Sequence, residues 1–230
     1  MATSKKKGGK GAGTGPVDRK RAAANDAAGT GVTRIILPTK YRPQLCAAKP
    51  TDKNALRAEH GVSFRRRGKD CLVEATNGRM TVRIVLEDQG DTAPKSAVVP
   101  VRALRALAGA KEEEATLTFQ RHRVLIEVDN EEHTFPLIAP ELPFPDTDAS
   151  GALDGTSGRV EAGQLVDATM LARVQRALGC DSLALRGSGA VLRLEATDGS
   201  SNFGVIEPKN DEAKLPLAPG APVGPDGSDD

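Results

Sequence analysis

The sequence predicts an α+β fold in which single helices are each followed by several short strands. Two apolar runs, at 71–76 and 80–86, flank an Asn-Gly pair, which is typical of a β-hairpin. A strand at 96–99, a helix and three strands then follow within residues 96–139, a βαβββ unit. The 230 residues include 3% aromatic residues, so the core must be built mainly from Val, Leu, Ile and Ala.

The first elements are assigned from alternating apolar residues and from turn residues. VTRIIL at 32–37 predicts a strand, and the strand at 61–67 runs into a basic turn. Pro100 suits the first position of a helix at 101–108, and Gly109 is a good C-terminal stop. Three strands follow, and the Asp129-Asn130 pair predicts the turn between the last two.

A second unit is predicted in the last third of the chain. It begins with a strand at 158–162 (GRVEA) and continues with strands near 182–186, 191–196 and 203–206. Its helix spans about 164–178, with apolar residues Leu165, Ala168, Leu171, Ala172 and Leu178. Residues 32–90 predict a further unit, whose helix is disfavoured by Pro38, Pro43 and Pro50.

Charge is concentrated at the two ends. Residues 1–30 hold seven Lys/Arg and two Asp, and residues 211–230 hold five Asp/Glu and one Lys. Both ends are rich in Gly, Ala or Pro, so they predict disordered tails, one basic and one acidic. The basic tail attracts phosphates or simply keeps the chain in solution, and both interpretations stay open.

Several kinds of chemistry are disfavoured. Cys46, Cys71 and Cys180 are far apart in sequence, which favours reduced thiols in a cytoplasmic protein. The three histidines lack zinc-ligand spacing, and neither a P-loop nor a GxSxG motif is present. The acidic stretch 146–157 has Ser157 where a calcium loop needs Glu. No run is long and apolar enough for a membrane span. We therefore expect no catalytic activity, no bound metal or cofactor, and no membrane-spanning segment.

Four landmarks, taken in order, resemble the middle domain of bacterial DNA polymerase III sliding clamps (β subunits). They are LRAEHGVSF from Leu56, LVEATNGRM from Leu72, VPVRALRAL from Val99 and FPLIAPELPFPD from Phe135. The family's counterparts are "RP.L.GV.F", "L.ATDGHRLA", "VP…L..L" and "F.LI.GEFPD". The segment RALGCDSLAL from Arg176 is similar to the last half of the third domain, or to the opening half of a domain.

The resemblance implies a DNA-clamp fold of βαβββ units, with one full domain at 31–146 and a half-domain at 158–210. A basic tail at 1–30, a linker at 147–157 and an acidic tail at 211–230 complete the predicted organisation. Family rings close with twelve units. The three units predicted here would therefore need four copies of the chain, a homo-oligomer, or would form no ring.

Two functional surfaces are implied. In the family, inner-wall helices face the double-stranded DNA backbone without reading bases, and here those helices carry Arg102, Arg105, Arg173 and Arg176. The i, i+3 spacing places each pair on one helix face, which suits phosphate contacts or an ordinary solvated face. A client-peptide pocket for DNA polymerase and other clamp-binding proteins would include Thr76, Gly78, Arg79, Met80, Val205, Ile206 and Pro208.

The implied function is to tether replication or repair proteins to DNA. One departure concerns the pocket, because Glu207 and Lys209 are poor apolar walls. The alternative function is a regulatory module that binds a true clamp or its client peptides and does not encircle DNA. A decayed clamp fragment is a third interpretation.

Overall fold

The computed structural model describes residues 32–49, 51–138, 144–145, 166–188 and 191–206. The predicted tails, the linker, the strand at 158–162, Leu165, Pro208 and the stretch 146–157 lie outside them. The eleven strands of the described residues are β1 (Thr33–Pro38), β2 (Gly61–Arg67), β3 (Asp70–Thr76), β4 (Met80–Leu86), β5 (Ser96–Pro100), β6 (Glu114–Phe119), β7 (Arg123–Val128), β8 (Glu131–Pro136), β9 (Leu183–Ser188), β10 (Val191–Ala196) and β11 (Phe203–Ile206).

The helical segments are few and short. Helix α1 covers Val101–Leu104 and helix α2 covers Ala168–Leu178. Three 3₁₀ segments are also described: η1 (Pro43–Leu45), η2 (Arg57–His60) and η3 (Arg105–Leu107). The described residues contain no helix that is long and apolar enough to cross a membrane. The fold is α+β with antiparallel sheets, as the sequence predicts.

The strands form two antiparallel sheets that exchange their first strands. The four-stranded sheet has the order β1-β6-β7-β8, and the seven-stranded sheet has the order β5-β2-β3-β4-β11-β10-β9. Thus β1 leaves the strands that follow it and pairs with β6, while β5 pairs with β2. We call β2-β3-β4 and β6-β7-β8 the first and second three-strand groups. The strand that precedes each group pairs with the first strand of the other group. The two groups therefore form one interlocked domain.

The last three strands continue the seven-stranded sheet. Strand β11 pairs with β4, so that Val205 lies opposite Thr81 and Ile206 opposite Met80. A single hydrophobic core runs between the two sheets and includes Phe64 of β2 and Phe119 of β6, whose ring centroids are 5.4 Å apart. The core extends to α2, which packs against η1, β4 and β11.

The helix predicted at 101–108 is shorter than expected. Only Val101–Leu104 is α-helical, and the chain tightens into η3 at Arg105 before Gly109 adopts a positive φ of 97°. Pro100 is the last residue of β5 and the N-cap, not the first helical residue. Its extended conformation continues the pairing with Gly61, so strand pairing decides where the helix begins.

The second helix begins later than predicted and buries a different face. Asp167 is its N-cap and accepts a hydrogen bond from the Thr169 amide at 2.8 Å. Its buried residues are Met170, Val174, Ala177 and Leu178. Of the residues expected to face the core, Leu178 is buried, Leu171 and Ala172 are half-buried, and Ala168 is exposed. The buried residues have the i, i+4, i+7, i+8 spacing of one helix face, and the helix packs against η1, β4 and β11.

The region 32–90 has η1 and η2, and no α-helix, in its described residues between β1 and β2. Pro43 occupies the first position of η1, where its missing N–H costs nothing.

A short internal repeat in the sequence corresponds to equivalent positions in the two three-strand groups. EATNG from Glu74 ends β3, and EATDG from Glu195 ends β10, each the middle strand of its group. Gly78 and Gly199 follow with φ values of 82° and 80°. Arg65 contacts Glu74, and Arg186 contacts Glu195, both across nine residues of sequence. Strands β9, β10 and β11 therefore correspond to β2, β3 and β4.

Candidate DNA-backbone interface

Helix α1 and the 3₁₀ turn after it present two arginines to solvent. Arg102 and Arg105 are exposed, whereas Ala103, Leu104 and Leu107 are buried. Arg102 lies in α1 and Arg105 begins η3, and their i, i+3 spacing places the two residues on the same side of the helical segment. The predicted arginine pair is thus present, on a segment of less than two turns.

The two arginines of α2 differ in their surroundings. Arg176 is exposed, and its Nε donates to the Ala172 carbonyl at 3.1 Å. Arg173 is half-buried and lies close enough to act electrostatically on Cys46. Burial raises the pKa of the Cys46 thiol to about 12, and the positive charge of Arg173 offsets only part of that rise.

The segment η1 lies between the two helices and joins them. The Arg42 amide donates to the Ala177 carbonyl of α2 at 2.9 Å. On the other side, Gln44 Nε2 makes a long hydrogen bond of 3.5 Å to the Leu104 carbonyl of α1. Helix α1, η1 and α2 therefore form one continuous layer over the sheets.

Arg42 adds a fifth arginine to this layer. It is exposed and caps η1 beside the last turn of α2. We call Arg42, Arg102, Arg105, Arg173 and Arg176 the basic row. Within the described part of the chain, none of the five forms an ion pair with a carboxylate. Their charges are therefore available to an anionic partner.

Sequence reasoning did not include Arg42, although one signal for it was present. Because proline favours the first position of a helical turn, Pro43 places Arg42 at the N-cap. Its position beside α2 depends on contacts across more than a hundred residues, which no local pattern reveals. Lys40, two residues earlier, is exposed but lies 3.7 Å from Asp198, which partly neutralises it.

Helix α2 ends where the chain at Lys40 approaches closely. Gly179 has the left-handed φ of 59° that suits a helix C-cap. A Cβ on Gly179 would lie 2.7 Å from the Lys40 carbonyl oxygen. The glycine therefore permits both the cap and the close packing that holds the residues before η1 against α2.

The described residues predicted for the client-peptide pocket come from β3, β4 and β11 and from the turn between β3 and β4. Thr76 Oγ1 donates to the Met80 carbonyl at 3.1 Å and accepts from the Gly78 amide at 3.1 Å, which fixes the hairpin. Val205 and Ile206 lie on the paired strand, with Ile206 opposite Met80. The structure thus brings Thr76, Gly78, Arg79, Met80, Val205 and Ile206 together, whereas Pro208 is outside the described residues.

These residues do not form an open apolar surface. Met80, Ile206 and Val205 are 2%, 0% and 7% exposed, so their side chains belong to the protein interior. Gly78 and Arg79 are exposed at the tip of the hairpin. A peptide that approached this place would meet Gly78 and Arg79 first.

An open cavity of about 490 Å³ lies beside β1 and β6. It is lined by Ile36, Glu112, Glu113, Glu114 and Thr116. Three adjacent carboxylates repel phosphate, so this surface has the opposite character to the basic row.

The fold of this chain is similar to that of sliding clamps. The solved structures similar to this chain include DNA polymerase sliding clamps. The Pseudomonas aeruginosa clamp has 12% sequence identity and a TM-score of 0.54, with 80% of this chain and 69% of that chain covered. The DNA polymerase III subunit beta of Borrelia burgdorferi has 15% identity and a TM-score of 0.58, with 76% and 62% covered.

The DNA polymerase III beta subunit of Thermotoga maritima has 14% identity and a TM-score of 0.53, with 78% of this chain and 65% of that chain covered. This chain therefore spans about two thirds of the length of the clamp subunits it matches. No family model and no curated protein matches the sequence. The resemblance to sliding clamps is confirmed at the level of the fold, at sequence identities of 12–15%.

Proposed function

We propose that this protein is a non-catalytic, clamp-type DNA-tethering protein that holds the double-stranded backbone without reading bases. The basic row carries the proposal. Its five guanidinium groups lie along one layer of α1, η1 and α2, and the described residues offer them no carboxylate partner. Contacts of this kind neutralise phosphates regardless of base sequence.

The clamp fold supports the same role. A layer of helices over antiparallel sheets gives a protein one charged face that can follow a duplex, while the sheets provide rigidity. The proposal includes client proteins, such as a DNA polymerase, that are tethered through the hairpin at Asn77–Met80 and the adjoining end of β11. That part is supported by the exposure of Gly78 and Arg79 at the tip of this hairpin.

Retention on circular DNA tests the proposal directly. The protein is mixed with nicked circular plasmid at about 100 mM salt, isolated with the DNA by gel filtration, and then treated with a restriction enzyme that linearises the plasmid. A tether that encircles DNA stays on the circle and leaves after linearisation. A protein that never co-elutes with DNA contradicts the proposal and favours the regulatory module.

A charge-matched pair of variants tests the basic row. Arg102→Ala with Arg105→Ala removes two exposed guanidinium groups from the row, and Arg121→Ala with Arg123→Ala removes two exposed ones at the β6–β7 turn. We expect the first double variant to weaken duplex binding and to lower the slope of log affinity against log salt by up to about 2. The second should bind like the wild type. Equal losses in both variants would contradict the assignment.

A further inference from the structure

Among the described residues, the third three-strand group (β9, β10 and β11) lacks a neighbouring strand that the first two groups possess. Strand β2 is flanked by β5, and β6 is flanked by β1, so each group is completed on its first strand. Strand β9 corresponds to β2, as the repeated EAT motif and the repeated Arg–Glu pair indicate. In the described part of the chain, however, β9 is the last strand of its sheet and pairs only with β10.

A core-facing leucine on β9 is exposed for the same reason. Leu185 pairs with Leu194, which pairs with Gly204, which in turn pairs with Val82 of the core. Leu185 therefore lies on the core side of the sheet, yet it is 51% exposed. Its counterpart in the first group is Phe64, nine residues before Val73 as Leu185 is nine before Leu194.

Phe64 shows what covers this position in a complete domain. It is fully buried and packs against Phe119, which belongs to the opposite sheet. No described sheet lies opposite β9, because the four-stranded sheet packs across the core from the first three-strand group. Helix α2 packs mainly against η1, β4 and β11. Leu183, at the start of β9, still contacts the core, whereas the described residues leave Leu185 largely uncovered.

We propose that the edge of β9 pairs with residues 158–162 of a second copy of this chain, so that two copies complete one domain between them. In the first domain the strand before each helical segment leaves its own group and pairs with the other group. Residues 158–162 (GRVEA) predict the strand before α2. If the third group follows the same pairing, this strand does not pair with the β9 of its own chain. It pairs with the β9 of a second copy.

The exchange is reciprocal, as a two-fold axis requires. Each copy provides one open β9 edge and one strand, so both edges are satisfied in a closed dimer that does not extend into a filament. The unpaired N–H and C=O groups of β9 supply the backbone pairing, and Leu185 supplies an apolar contact that becomes buried. The dimer has three complete domains, one from each chain and one shared. This inference does not depend on DNA binding.

Solution mass is the first measurement, made without DNA by light scattering after gel filtration. We expect about twice the 24.1 kDa of one chain. Leu185→Asp places a charge in the shared core and should give a monomer. The matched control is Leu56→Asp, since Leu56 is a leucine of the described part of the chain with a similar exposure, 53%. A monomeric wild type overturns the proposal, and so does an oligomer that survives Leu185→Asp.

Cysteine cross-linking identifies the segment that pairs with the edge of β9. This test does not depend on a variant that weakens assembly. In a Cys180→Ser background, chains with Val160→Cys are mixed with differently tagged chains that carry Leu183→Cys, Leu185→Cys or Gly187→Cys. Cys46 and Cys71 stay because both are buried. Disulfides between the two kinds of chain support the exchange. If disulfides form only between two β9 cysteines, β9 pairs with the β9 of another copy. If no disulfide forms with Val160→Cys, residues 158–162 are not the partner of β9. Either result overturns the proposal.

Discussion

The side chain of Asn202 joins the last three strands to the residue that precedes Arg42. Its Nδ2 donates to the Tyr41 hydroxyl at 3.1 Å, and its Oδ1 accepts from the Val85 amide at 2.8 Å. Asn202 is only 1% exposed, and 161 residues separate it from Tyr41. One buried carboxamide therefore connects β4, the turn before β11 and the chain leading into η1. The basic row depends on this junction because η1 lies between α1 and α2.

Replacing Asn202 with leucine should weaken this junction. The change leaves the Val85 amide and the Tyr41 hydroxyl without their partner, at a cost of about 1–3 kcal/mol for each buried group that stays unsatisfied. Urea unfolding followed by circular dichroism measures the loss. The chain has one tyrosine and no tryptophan, so its intrinsic emission reports on Tyr41 alone. We expect the Asn202→Leu variant to show altered tyrosine emission in the native state.

Tyr41→Phe is the matched control, because it removes the hydroxyl and keeps the ring. It should cost less than Asn202→Leu, since the Val85 amide keeps its acceptor. If the two variants were equally stable, the link to Val85 would contribute nothing.

The contact between α2 and β11 is limited by Gly204. A Cβ on Gly204 would lie 2.4 Å from Val174 Cγ1 and 3.2 Å from the Thr81 carbonyl oxygen. Gly204→Ala should therefore push α2 away from the sheet and cost about 1–3 kcal/mol.

Val174→Ala provides the compensating change. By itself it leaves a cavity, because Val174 is fully buried. Combined with Gly204→Ala, it makes room for the new methyl group, so the double variant should be more stable than the sum of the two single losses predicts. A double-mutant cycle in urea measures the coupling, and strict additivity would contradict a direct contact.

The strands and hairpins were predictable because their signals are local. Asn77 and Gly78 form the expected turn, in which Asn77 Oδ1 accepts hydrogen bonds from the amides of Arg79 and Met80. At the second predicted turn, Asp129 and Asn130 both have positive φ values, 53° and 62°, which suit a tight hairpin. Residues that are adjacent in sequence decide these turns, so no distant contact is needed.

The basic row was only partly predictable for the opposite reason. Arg102, Arg105, Arg173 and Arg176 follow from helical spacing, but Arg42 belongs with them only because its amide reaches Ala177. The pairing of β4 with β11 is likewise set by residues more than a hundred positions apart. The 3₁₀ turn at Arg105 was missed because alanine and leucine favour a longer helix, and tertiary packing overrides that preference.

A buried ion pair links β3 and β4. Arg83 Nη2 lies 2.6 Å from Glu74 Oε1, and both side chains are at most 5% exposed. Removing one partner strands a buried charge, so Glu74→Leu should cost about 3–5 kcal/mol. Glu74→Leu combined with Arg83→Met removes both charges, and should recover much of that loss. Unfolding free energies from urea titration provide the comparison, and a double variant as unstable as the two losses summed would contradict the argument.

Asp129 should make the β7–β8 hairpin sensitive to acid. Hydrogen bonds from the Lys111 and Glu112 amides hold the pKa of its carboxyl below the ordinary value of 3.8. Because the folded-state pKa is lowered, this stabilisation is complete above the unfolded-state pKa and is lost as the pH falls through the folded-state value. Asp129→Asn keeps the tolerance for positive φ and removes the charge.

The difference in urea midpoint between wild type and Asp129→Asn should therefore be largest near pH 7. It should begin to shrink below about pH 4, where the Asp129 carboxylate of the unfolded chain takes up a proton, and should be lost once the pH is below the lowered folded-state pKa. Asp91→Asn is the control, since Asp91 is exposed and its carboxylate has no hydrogen bond among the described residues. A midpoint difference for Asp129→Asn that stays constant from pH 7 to pH 2.5 would show that the ionised carboxylate does not stabilise the hairpin.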